Sequence, residues 1–124
     1  MPDPDVTSAE FRQDIRGGLP EGTVLGTYEL KSIIGKGAFG ITYHARDLTL
    51  GRDVAIKEYL PTSLALREGR RSVMPISTDH AEQFAWGRER FIEEARTLTR
   101  LEGTPAIVRA YDFMEANGTA YMVM

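Results

Sequence analysis

The chain has 124 residues and a formal net charge of -3, enough for one domain with a modest core and without the basic stripe that marks a nucleic-acid binder. It contains no cysteine, which excludes disulfides, thiol chemistry and cysteine-ligated metal. No apolar run approaches the roughly 20 residues that span a bilayer, and the N-terminus lacks an apolar signal core, so the expected setting is cytoplasmic.

Residues 1–22 carry Pro2, Pro4, Gly17, Gly18, Pro20 and Gly22 among charges and are expected to form a flexible arm. A short helix in "SAEFRQDI" would be marginal alone. From Thr27 the pattern changes to short alternating runs. "YELKSII" places Tyr28, Leu30 and Ile33 or Ile34 inward, and "ITYHARD" alternates Ile41, Tyr43 and Ala45 against Thr42, His44 and Arg46. Both read as strands. Gly51 supplies a turn, and "VAIKEYL" is a third strand with β-branched Val54 and Ile56.

Pro61 to Thr78 is less regular: "PTSLALRE" suggests a helical turn, with Gly69 and Pro75 as breakers. Asp79 and Glu82 resemble a capping box. The following run places Phe84, Phe91, Ala95 and Leu98 on one apolar stripe, although Gly87 weakens its middle and could delay the continuous helix. "EGTP" ends the helix, and residues 106–124 read as a hairpin turning at Asn117-Gly118. The expected fold is α+β: a five-stranded antiparallel sheet with one long helix, in the order β-β-β-α-β-β, over residues 23–124. Met124 falls inside an apolar strand, so a fragment of a longer domain is expected, with an open final strand prone to self-association or strand exchange.

"IIGKGAFGITYHARD" holds Gly35, Gly37 and Gly40. In a dinucleotide-binding fold the third glycine opens a helix. Here a period-two run follows instead, so the loop is a flap between antiparallel strands. A ligand-free glycine hairpin is the plainer alternative. Lys57 could rest its stem on the sheet with its head in water, or reach phosphates beneath the flap. In the second case it needs an opposite charge when partly buried. Glu94 borders the helix stripe and is the candidate, while Glu93 points further toward solvent. Alternatively, Glu94 pairs with Arg90 on the surface, worth about 0.3–0.5 kcal/mol. His44 and His80 lack ligand geometry and are read as surface residues.

Taken together, "GKGAFGIT", "VAIK" and "FIEEARTLTRL" resemble the glycine-rich loop, lysine strand and helix C of the N-terminal lobe of eukaryotic-like protein kinases, especially bacterial serine/threonine kinases. "PAIVRAYDFMEANGTAYMVM" is similar to that lobe's fourth and fifth strands. The resemblance implies ATP binding and catalytic roles for Lys57, on the α- and β-phosphates, and for Glu94, which would hold Lys57. Backbone amides of Lys36, Gly37, Ala38, Phe39 and Gly40 would cover the phosphates, following Gly35. Ile34, Thr42, Ala55 and Val108 would form the adenine ceiling, and Met124 falls at the gatekeeper position.

Thr42 stands where the family usually has valine, and "LEGTPAIV" is one residue longer than the usual turn. The link after Leu60 is also long and carries Arg67, Arg70 and Arg71, read as a solvated loop or, alternatively, as a dock for an anionic partner. The resemblance implies Mg²⁺ with ligands in the absent second lobe, which also carries the catalytic aspartate and would bind the protein substrate. The fragment alone is expected to be inactive and to bind ATP weakly, if at all. A pseudokinase-type nucleotide or protein binding module is the alternative reading, and neither nucleic acid nor a membrane segment is implied.

Overall fold

The computed structural model describes residues 17–100 and 110–124. Strands β1 (Val24–Leu25), β2 (Tyr28–Gly37), β3 (Gly40–Asp47) and β4 (Arg52–Tyr59) follow one another. Next come β5 (Ala65–Glu68), β6 (Ser72–Pro75), helix α1 (Ala81–Arg100), β7 (Asp112–Ala116) and β8 (Thr119–Val123). The main sheet runs β1-β2-β3-β4-β8-β7, while β5 and β6 pair separately. All pairings are antiparallel. The expected α+β sheet-and-helix lobe is therefore present, with a two-residue strand added at one edge and an extra hairpin inserted before the helix. The expected helix near the N-terminus, the "EGTP" turn and Val108 lie outside the described residues.

Period two fixes the sheet's two faces. Ile41, Tyr43 and Ala45 of β3 are buried on the outer face, as are Ile56 and Glu58 of β4. Ala55, Lys57 and Tyr59 point to the opposite, helix-bearing face, where the Tyr59 ring lies 5.3 Å from Phe84 and 5.7 Å from Phe91. The β7–β8 turn is at Asn117-Gly118, with φ of 55° and 77°, as a two-residue hairpin with the right twist requires.

Helix α1 buries Phe84, Phe91 and Ala95 of the predicted stripe together with Ile92, while Leu98 is half-buried against the same core. It runs through Gly87 without a break, because that glycine makes room for a neighbour. A Cβ there would lie 2.2 Å from the Tyr59 hydroxyl oxygen, which donates a 3.0 Å hydrogen bond to the Phe84 carbonyl. The expected Asp79–Glu82 capping box does not form. A 3-10 turn spans Thr78–His80, Ser77 makes no side-chain cap bond, and its hydroxyl instead meets His80 Nδ1 at 2.7 Å.

Three further expectations are corrected. Leu19, placed in the flexible arm, is fully buried and its amide donates a 3.0 Å hydrogen bond to the Tyr43 hydroxyl. Residues 17–22 thus belong to the packing of the lobe, since Leu19 removes apolar surface from water. Leu19→Ala should cost about 2–5 kcal/mol in chemical denaturation, whereas a mobile arm would show no change. Second, the segment read as a helical turn is one only at its start, where the Leu64 and Ala65 amides donate to the Pro61 carbonyl at 3.0 and 2.9 Å; from Ala65 onward it is the β5–β6 hairpin, with Gly69 at φ 66° in its tip. Third, the final strand is not the sheet's edge: β8 lies between β4 and β7 with all five residues buried, and β7 forms the edge.

The outer face holds a polar knot. Glu58 is fully buried and accepts hydrogen bonds from the hydroxyls of Tyr43 at 2.8 Å and Tyr121 at 2.7 Å. Burial first, and the Glu58 carboxylate second, push both phenols far above their ordinary range. Burial and Asp112 push Tyr28 up to about 12. An unfolded tyrosine ionises near pH 10, so above that pH the unfolded chain releases protons that the folded chain retains. The stabilisation is complete below about pH 10 and is lost as pH rises through the folded values. Melting temperature should fall steeply above about pH 10, and Tyr43→Phe should flatten that fall while lowering the plateau.

Candidate functional site

The glycine loop is the turn between β2 and β3, closing at the pair Gly37 and Gly40. Its tip is tied to the segment after β4: Leu60 N–H donates to the Phe39 carbonyl and Thr62 N–H to that of Ala38, both at 2.9 Å. The three glycines differ in what the fold asks of them. A Cβ on Gly40 would lie 1.9 Å from the Glu58 carbonyl oxygen, so the sheet itself demands glycine there. A Cβ on Gly37 would meet open space, and one on Gly35 only Thr42 Cβ at 3.8 Å. The backbone packing makes no comparable demand at those two positions.

Beneath the loop tip, between β4 and α1, lies a cavity of about 600 Å³ whose lining includes Phe39, Lys57, Tyr59, Trp86, Phe91 and Glu94. Lys57 reaches it from β4 because alternation puts that side chain on the helix-bearing face. Glu94 reaches it from α1, next to buried Ala95 on the stripe. The two residues face one cavity without touching: no ion pair joins them among the described residues. The surface pairing considered for Glu94 is absent too, since Arg90 pairs with Glu93 at 3.4 Å, both exposed.

Other expected positions surround this point. Thr42 lies opposite Lys57 on β3 and Gly35 opposite Thr42 on β2, while Ala55 precedes Lys57 by one period on the same face. Met124 is bonded to Ala55 through both backbone groups, at 3.0 and 2.7 Å. Ile34 is exposed. Lys36 does not join Lys57: it lines a second cavity of about 390 Å³ on the outer side, together with Thr62, Arg67 and Arg70.

Trp86, Tyr59 and Leu64 also line the main cavity and were not foreseen. Trp86 is largely exposed and stacks under Arg90, 5.2 Å from its centroid. It lies off the apolar stripe, and that misplacement was the available signal. Among the described residues no group of three or more His, Asp or Glu could hold a metal ion, and no helix is long and apolar enough to cross a membrane.

A sheet whose glycine flap and lysine strand face a glutamate-bearing helix defines the N-terminal lobe of a protein kinase. No protein-family model matches the chain. It is 34% identical over 104 residues to the serine/threonine-protein kinase PknE of Mycobacterium tuberculosis, covering 84% of this chain and 15% of PknE. The DNA damage-responsive serine/threonine-protein kinase RqkA of Deinococcus radiodurans is 36% identical over 98 residues, covering 76% of this chain and 11% of RqkA. Among solved structures, the apo form of PpkA-294 is similar with a TM-score of 0.81 at 42% identity, over 86% of this chain and 38% of that one. The chain belongs to the eukaryotic-like serine/threonine protein kinases of bacteria and has the architecture of their N-terminal lobe. It spans only a small part of the length of these relatives.

Proposed function

We propose that this lobe binds the phosphates of ATP in the cavity beneath the glycine loop. The complete protein would transfer the γ-phosphoryl group to serine or threonine hydroxyls of a protein substrate. The observation that carries the reading is the shared cavity of Lys57 and Glu94, delivered by two different elements to one space under the flap. The Lys57 ammonium would contact the α- and β-phosphates, and the loop amides would cover them. Glu94 would hold the lysine once α1 brings the carboxylate closer. Thr42, Ala55 and Met124 would meet the adenine end. Mg²⁺ would neutralise phosphate charge in the assembled enzyme, with protein ligands from the second lobe.

An ATP acyl-phosphate, which acylates lysines beside bound phosphates, should label Lys57 in preference to Lys31 and Lys36, and excess ATP should suppress that label. Equal labelling of all three lysines, insensitive to ATP, would count against the reading. Labelling without phosphoryl transfer by the complete protein would favour a nucleotide-binding module instead.

A further inference from the structure

The long link between β4 and α1 carries an arginine that the nucleotide reading leaves without a task. Arg67 is not solvated: its side chain is 4% exposed and its partner, Glu58, is 0% exposed. Strand alternation turns Arg67 and Ala65 inward and Leu66 outward, so β5 delivers the guanidinium to the outer face of the main sheet. There it makes a close ion pair with Glu58 through Nη2. Its Nε donates to the Gly17 carbonyl at 2.6 Å and its Nη1 to the Arg71 carbonyl at 2.8 Å. Nη2 also lies 3.4 Å from the Tyr43 hydroxyl. For Arg67, the anion is therefore inside the chain.

Glu58 follows Lys57 directly on β4. Its side chain enters the outer-face knot while that of Lys57 enters the cavity on the other face. Its carbonyl is the group against which Gly40 packs, and its carboxylate is bonded to Tyr43 of β3 and Tyr121 of β8. A buried carboxylate is tolerated only with a full set of partners, and removing one partner of such a pair leaves an uncompensated charge. The two tyrosines that bond to Glu58 stand on β3 and β8, the strands that pair directly with the lysine strand.

We propose that Arg67 is a positioning residue for the nucleotide site. By neutralising Glu58, the inserted hairpin braces β4 and β3 from behind and fixes where Lys57 and the glycine loop stand. The brace also anchors Gly17, so the N-terminal segment is held by the same guanidinium. This inference rests on Lys57 being the phosphate-binding lysine.

The test is hydrogen exchange on the 124-residue chain, each variant measured the same number of degrees below its own melting midpoint. Arg67→Met should speed exchange at least about tenfold at Ala55–Tyr59 and Gly40–Tyr43, relative to Phe91–Leu98 of α1, and should lower acyl-phosphate labelling of Lys57 in the complete protein. Arg67→Lys, which keeps the charge and is the milder change if the methionine variant fails to fold, should show the same pattern to a smaller degree. The double change Glu58→Met with Arg67→Met removes the buried charge as well as its partner and should restore protection of β4. Faster exchange confined to residues 65–75, or spread equally over every element, would overturn the proposal. If the unaltered complete protein shows no ATP-sensitive label at Lys57, the nucleotide reading fails, and the exchange pattern still decides whether the brace exists.

Discussion

Lys57→Met should lower phosphoryl transfer by the complete kinase about 10²–10³-fold, the usual loss when one group stabilising transferring charge is removed. The apolar stem of methionine keeps the sheet contacts, and Lys57 makes no ion pair among the described residues. Its loss should therefore cost no more than a surface substitution, and melting should stay within about 4 °C. The two readouts separate chemistry from folding. A matching collapse of melting temperature would make Lys57 a structural residue and remove the main support for the site.

Gly40→Ala should act in the opposite way, on stability first. The added Cβ would lie 1.9 Å from the Glu58 carbonyl oxygen, 3.1 Å from its carbon and 3.4 Å from the Leu60 amide nitrogen, all backbone atoms. No side-chain rotation relieves that contact, so β3 and β4 must part where they carry the flap and the lysine. The cost should reach the upper part of the overpacking range, about 3 kcal/mol, or roughly 10–20 °C in melting temperature. Gly37→Ala is the control: its Cβ would meet nothing within 4 Å, so melting should be unchanged. A fall in nucleotide affinity in that variant would then report the loop's closure on phosphate. Equal melting of both variants would show that β3 can yield at Gly40.

Much of this fold is written in local periodicity. The alternation in "ITYHARD" and "VAIKEYL", the helical stripe from Phe84 to Leu98 and the Asn117-Gly118 turn each arise within a few residues, and each is found where the pattern puts it. Lys57 and Glu94 were legible because strand and helix periods aim both at the same side of the sheet. What escaped depends on partners distant in sequence. In β5 the polarity is reversed, with Arg67 inside and Leu66 largely exposed, since Glu58 compensates the buried charge. No local rule would place an arginine inward there. Gly87 read as a weak point in the helix because its partner, Tyr59, belongs to β4. Leu19 was lost among glycines and prolines that describe a mobile chain unless an apolar face lies nearby to receive it.

The distance between Lys57 Nζ and the Glu94 carboxylate in a complex with Mg²⁺ and a non-hydrolysable ATP analogue tests the central claim most directly. A crystal structure of the complete kinase in that state should place the phosphates against Lys57 beneath Gly35–Gly40, with Glu94 within ion-pair reach of about 4 Å. Nucleotide bound elsewhere, with Lys57 and Glu94 both turned away from it, would contradict the account.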